Sequence, residues 1–198
     1  MIEIGLPIAR ISALDLGFKD QLNAYLKREM LVSDEIFQQV REIIQNVKIN
    51  GNRAVVDYTN KFDNFSVDSL EDLFVSQKQL EKSFNRISVA QRDALEHAAN
   101  RIEKYHERQL MTSWQYEEED GSVYGQKITP LNRVGVYVPG GKANYPSSML
   151  MLAIPARVAG VQDIIAVVPA RYSEKNDLIF AAAKMAGVSE VCTIGGAQ

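Results

Sequence analysis

Tyr137 closes a short apolar run at 134–138, and the turn Pro139-Gly140-Gly141 follows at once. An aromatic ring in that place can stack on a base or a nicotinamide, and paired glycines let a ligand approach the backbone closely. A second glycine pair, Gly195-Gly196, precedes Ala197 and Gln198. The Gln198 amide offers both donors and acceptors. Neither glycine pair forms a G-x-G-x-x-G fingerprint or a Walker A loop. By spacing alone the first pair can also be read as a tight strand-to-helix turn. Tyr137 can also be a core aromatic with its hydroxyl at the surface.

The remaining candidates point away from catalysis. His97 and His106 stand nine positions apart on one helical pattern, whereas a helical zinc pair needs i, i+4 spacing. They read as surface or partly packed histidines. Cys192 is the only cysteine and sits in an apolar run. A cysteine nucleophile would suit aldehyde oxidation, but a reactive thiol needs a cation, a helix N-terminus or a basic partner. The sequence supplies none of these, so a buried structural thiol is expected. The acidic run Glu117-Glu118-Glu119-Asp120 ends in Gly121 and reads as a solvated hairpin tip; a metal site would need more spaced oxygen ligands. The residues therefore offer no catalytic group and no metal ligand.

The elements that must position these residues fall in two regions. Residues 1–132 form a helical region with a hairpin near 114–127, and residues 133–198 form a nucleotide-binding unit. Ser33 can cap a helix on which Ile36, Phe37, Val40, Ile43, Ile44 and Val47 share one face, ended by Asn50-Gly51. Ala54, Val55, Tyr58 and Phe62 indicate a shorter helix. Ser88 and Gln91 have capping-box spacing and open a long helix with Leu95, Ala98, Ala99, Ile102 and Tyr105 on one face. From Val134 the pattern is β-α-β-α-β, with strands at 134–138, 164–168 and 191–194 and helices from near Ser147 and over 177–186. Pro155 predicts a kink or a late start in the first of these. Strands joined by helices run parallel with right-handed crossovers, and their unbroken apolar runs predict cover on both faces. This is an open, doubly wound α/β sheet, whose ligands bind at the carboxyl edge of the strands.

Composition narrows the function classes. Lys plus Arg number 22 and Asp plus Glu 25, a net charge of −3 that gives no electrostatic reason to expect nucleic acid or an acidic membrane. No apolar run approaches the roughly 20 residues needed to span a bilayer, and Met1-Ile2-Glu3-Ile4 does not open a signal peptide. A cytoplasmic location is expected.

The stretch VGVYVPGG at 134–141 resembles the corresponding segment of histidinol dehydrogenases. The similarity continues through Tyr145-Pro146-Ser147-Ser148, Leu150-Met151, Ile154-Pro155-Ala156 and Ala159-Gly160-Val161, and resumes at Ile194-Gly195-Gly196-Ala197-Gln198. Upstream, GNRAVVDYTNKFD at 51–63 and NRIEKYHERQ at 100–109 resemble the family's helical N-terminal part. The resemblance implies the N-terminal half of such an enzyme, with α/β architecture. A helical region would precede an incomplete Rossmann-like parallel β-α-β-α-β unit of aldehyde-dehydrogenase-like architecture. It implies oxidation of L-histidinol to L-histidine through the aldehyde, the last step of histidine biosynthesis, with NAD as hydride acceptor and zinc holding the substrate. It further implies a homodimer. Tyr137 and Gln198 match the family's NAD-contacting tyrosine and glutamine. The zinc ligands, the catalytic glutamate and histidine and a third NAD contact are expected beyond residue 198, so this chain alone is expected to be inactive. Two alternatives stay open: a non-catalytic α/β oligomerisation or nucleotide-binding fragment, and a relative acting on another small hydroxylated substrate.

Overall fold

The computed structural model describes residues 10–29, 34–63, 65–139, 145–169 and 176–198. Two compact units divide between Gln45 and Asn46. The first carries α1 (Phe18–Glu29) and most of α2 (Asp34–Asn50). Asp34 and Glu35 lie in the first turn of α2, where the helix dipole favours acids. The expected cap Ser33 and the Gly140-Gly141 turn lie outside the described residues. The expected buried stripe of α2 is not seen: the helix has no buried residue, and Ile36, Phe37, Val40 and Ile44 are exposed.

The second unit begins with α3 (Asn52–Phe62), entered through Gly51 at φ 57°, a left-handed conformation that glycine adopts without penalty. Its buried face is Ala54, Val55, Val56 and Thr59. A 3-10 turn at Glu71–Leu73 leads into a two-residue strand β1 (Phe74–Val75), then α4 (Gln77–Arg86) and α5 (Val89–Glu107). Both helices open with complete capping boxes. In α5 Ser88 accepts from the Gln91 N–H and Gln91 returns a bond to the Ser88 backbone, as the spacing predicts; Ser76 and Gln79 do the same for α4.

The α/β part follows: β4 (Arg133–Tyr137), α6 (Pro146–Val158), β5 (Asp163–Val167), α7 (Asp177–Ala186) and β6 (Glu190–Cys192), after the hairpin β2 (Trp114–Glu117) and β3 (Val123–Gln126). Strands β4, β5 and β6 are parallel, in register Val134–Ile164 and Ala166–Val191, and β1 adds an antiparallel edge beside β6. The four-stranded order is β1-β6-β5-β4. α6 starts with Pro146 at its first position and runs through Pro155 to Val158, so the expected late start is absent. α7 stops at Gly187, whose φ of 81° suits a helix C-terminus.

One core joins the sheet to α4–α7. Val136, Val138, Ile164, Ala166, Val168 and Val191 meet Met149, Leu150, Ile154, Ile179 and Phe180, all buried. Burial alternates along β4 and β5 instead of covering both faces as expected. Among the described residues these two strands bury one face against helices, with Gly135 and Tyr137 exposed on the other. A polar clamp ties α4 to α7. Asp177 accepts from Ser83 Oγ at 2.6 Å, Arg86 Nε at 2.8 Å and Arg86 Nη2 at 2.5 Å. Among the described residues no helix is long and apolar enough to cross a membrane.

Candidate functional site

Parallel connections bring the carboxyl ends of β4, β5 and β6 to one rim. At about 4.8 Å per strand, the ends of β4 and β6 stand roughly 10 Å apart with β5 between them. Tyr137 ends β4 and is 49% exposed, outside the buried core. Val138 behind it is fully buried and donates to the Val167 carbonyl at 2.9 Å, so the strand end is anchored while the ring faces outward.

The Gly195–Gln198 segment is anchored from the opposite side. Thr193, buried, sends both its N–H and its hydroxyl to the Leu73 carbonyl, at 2.8 and 2.9 Å. Gly195 is packed so closely that a Cβ would lie 2.6 Å from Pro169 Cβ. Its N–H donates to Asp63 Oδ2 at 3.1 Å, and the Gln198 amide Nε2 donates to the same oxygen at 3.0 Å. The Gln198 nitrogen also faces Thr59 Oγ1 at 3.5 Å. The sequence suggests an amide open in both senses; in the structure its nitrogen is engaged.

Asp63 escapes a reading by motif, although one signal marks it. It is the C-terminal cap of α3, four residues after Thr59, and a negative charge there opposes the helix dipole. An acid in that position needs donors from elsewhere, and the Gly195–Gln198 segment supplies them.

The other candidates are separate from this rim's hydrogen bonds. His97 is exposed, and His106 pairs through Nδ1 with Gln109 Oε1 at 2.7 Å. Cys192 is buried in β6; burial first, and the Glu190 charge second, push its thiol up to about 11. That suits a structural thiol rather than a nucleophile. The acidic run forms the hairpin tip, where Asp120 accepts from the Ser122 N–H at 2.8 Å. Among the described residues no group of three or more His, Cys, Asp or Glu side chains is placed to hold a metal ion. These residues do not fit the zinc that the resemblance implies.

The rim of parallel strand ends thus carries an exposed tyrosine at one end and an anchored glycine-glutamine segment at the other. The family profile described as histidinol dehydrogenase matches residues 26–198. The chain belongs to the histidinol dehydrogenase family. It is 51% identical to the histidinol dehydrogenase of Pseudomonas putida over 191 residues, covering 96% of this chain and 43% of that relative. The relative from Dechloromonas aromatica is 50% identical over the same length, with 44% of it covered. Among solved structures, a histidinol dehydrogenase from Elizabethkingia anophelis superposes with a TM-score of 0.74 at 29% identity, covering 85% of this chain and 39% of that one. The chain thus spans about two fifths of the length of these family members, and its α/β fold is theirs.

Proposed function

We propose that this chain is the N-terminal part of an NAD-dependent oxidoreductase that converts L-histidinol to L-histidine through the aldehyde. Family membership over residues 26–198 carries this reading. Within it, the rim made by Tyr137 and Gln198 binds NAD, which when bound supplies the hydride acceptor. The exposed Tyr137 ring offers an apolar face for stacking, and Gln198 offers a hydrogen-bonding atom held in place by the rest of the fold. The zinc ligands, the acid–base pair and the substrate contacts belong to parts of the family's chain that these 198 residues do not match. Substrate oxidation, a homodimeric assembly and a cytoplasmic setting are properties of the whole enzyme on this reading.

The test is a titration of the 198-residue chain with NAD, followed by backbone amide shifts. Binding is expected no tighter than about millimolar, roughly 4 kcal/mol. The amides of Tyr137, Val138 and 195–198 should move first. Tyr137→Ala should abolish or strongly reduce those shifts. Shifts that cluster on α5, or a Tyr137→Ala chain that responds like the parent, would remove the cofactor assignment. The same sample with histidinol, zinc and NAD should give no NADH above background; steady turnover would place the catalytic groups inside these residues.

A further inference from the structure

A carboxylate oxygen only accepts hydrogen bonds. Asp63 Oδ2 receives the Gly195 N–H at 3.1 Å and the Gln198 Nε2 at 3.0 Å. The second N–H of that amide is directed at Thr59 Oγ1, 3.5 Å away on a fully buried residue. Turning the Gln198 amide over would set its carbonyl against the carboxylate and lose a charge-assisted bond, which is roughly twice as strong as a neutral one. The orientation is therefore fixed by chemistry: nitrogen toward Asp63 and Thr59, Oε1 on the Gly196 side. Oε1 lies beside Gly196, where an added Cβ would come within 2.8 Å of it, so the glycine leaves room next to that oxygen.

The geometry points to Asp63 as the positioning residue that makes Gln198 a hydrogen-bond acceptor toward the cofactor, on the footing that Gln198 meets NAD as proposed above. The consequence is a choice of which part of the dinucleotide sits here. The Gly195 N–H, the natural donor for a phosphate oxygen, is already spent on Asp63, and the carboxylate behind it repels anions. With its nitrogen engaged, the Gln198 side chain has an acceptor left to offer. It suits an uncharged, donor-bearing group: a ribose hydroxyl or the carboxamide N–H of the nicotinamide. On this reading neither the Gln198 side chain nor the Gly195 N–H holds the pyrophosphate.

The experiment titrates the isotope-labelled chain with NAD and follows the Gln198 side chain. Its Cδ carbonyl resonance should move with saturation while the Nε2 protons stay nearly still. Asp63→Ala and Gln198→Met should each weaken NAD by about tenfold, and the double variant should be no weaker than either, since the two act through one contact. Asp63→Asn keeps a side-chain carbonyl that can accept both N–H groups, and should bind within about twofold of the parent. Inorganic pyrophosphate should leave the Gln198 resonances in place. Movement of Nε2 in place of Cδ, or a shift caused by pyrophosphate, would overturn the orientation. Normal binding by Asp63→Ala beside weakened binding by Gln198→Met would overturn the role of Asp63 and leave the cofactor site standing. Unchanged binding by Gln198→Met would remove both. If Asp63→Ala fails to fold, the Cδ and Nε2 signals of the parent chain still decide.

Discussion

Asp177→Ala is expected to destabilise the fold by about 3 to 5 kcal/mol, the usual cost of breaking a buried ion pair from one side. The carboxylate is 11% exposed and the Arg86 guanidinium 25%, so solvent screens the pair little. The substitution takes away three hydrogen bonds from α4 and leaves a charged group against the core. For a chain of this size the melting temperature should fall on the order of 10 °C. Asp177→Leu combined with Arg86→Met should recover much of the loss, because removing both charges also removes their desolvation cost. Burial, the largest influence on Asp177, pushes its carboxyl up; the Arg86 and Ser83 hydrogen bonds and the Arg86 and Lys82 charges together outweigh it and hold it below the ordinary value. A native carboxyl held low contributes stability above the unfolded value of about 3.9, and that contribution disappears as pH falls through the native value. Thermal melts of the parent should therefore drop below about pH 4 more steeply than those of Asp177→Asn. Parallel curves would show that the pair does not govern acid stability.

Gly195→Ala is expected to cost about 1 to 3 kcal/mol, the range for overpacking a close-packed site. The new methyl would meet Pro169 Cβ at 2.6 Å and Asp63 Oδ1 at 3.2 Å. A proline ring cannot swing aside, so the backbone after β6 must shift, and with it the bond from the Gly195 N–H to Asp63. Gly135→Ala is the matched control. It lies on the exposed face of β4 with nothing within 4 Å of its Cβ position. Its effect should stay within about 0.5 kcal/mol, the usual range for exposed positions. Urea melts of the two variants give the comparison directly. Equal midpoints would mean that the segment after β6 yields without cost.

The β-α-β-α-β pattern was legible because local and global signals agree there. Apolar runs of strand length alternate with small-residue helices, and glycines stand at the stops; 177–186 has the same bounds in sequence and structure. The Ser88–Gln91 capping box was legible because it is a local exchange of hydrogen bonds. Strand Phe74–Val75 was not legible. Two residues carry no period, and the strand exists because β6 offers an open edge 116 positions further on, pairing Val75 with Val191. Asp63 was illegible for the same reason: its partners are more than 130 positions away and its own neighbourhood suggests only an unfavourably placed acid. The stripe of α2 reads as core in the sequence yet stands exposed, because an amphipathic pattern specifies a face that wants cover and not what provides it.

The hairpin bears on how this protein can be watched unfolding. Trp114 is the sole tryptophan, 53% exposed, and stacks on Tyr116, which in turn stacks on Tyr124, on a ribbon whose eight strand residues are all exposed. Two-stranded ribbons are marginal on their own, so the only indole reports a peripheral element and not the packing of Phe180 or Leu150. Indole emission should change at lower denaturant than the helical circular dichroism of α4–α7, and the two traces should not superimpose. The lag would mark a species in which the ribbon has opened while the core stays folded, a local unfolding that the indole reports and the helical signal does not.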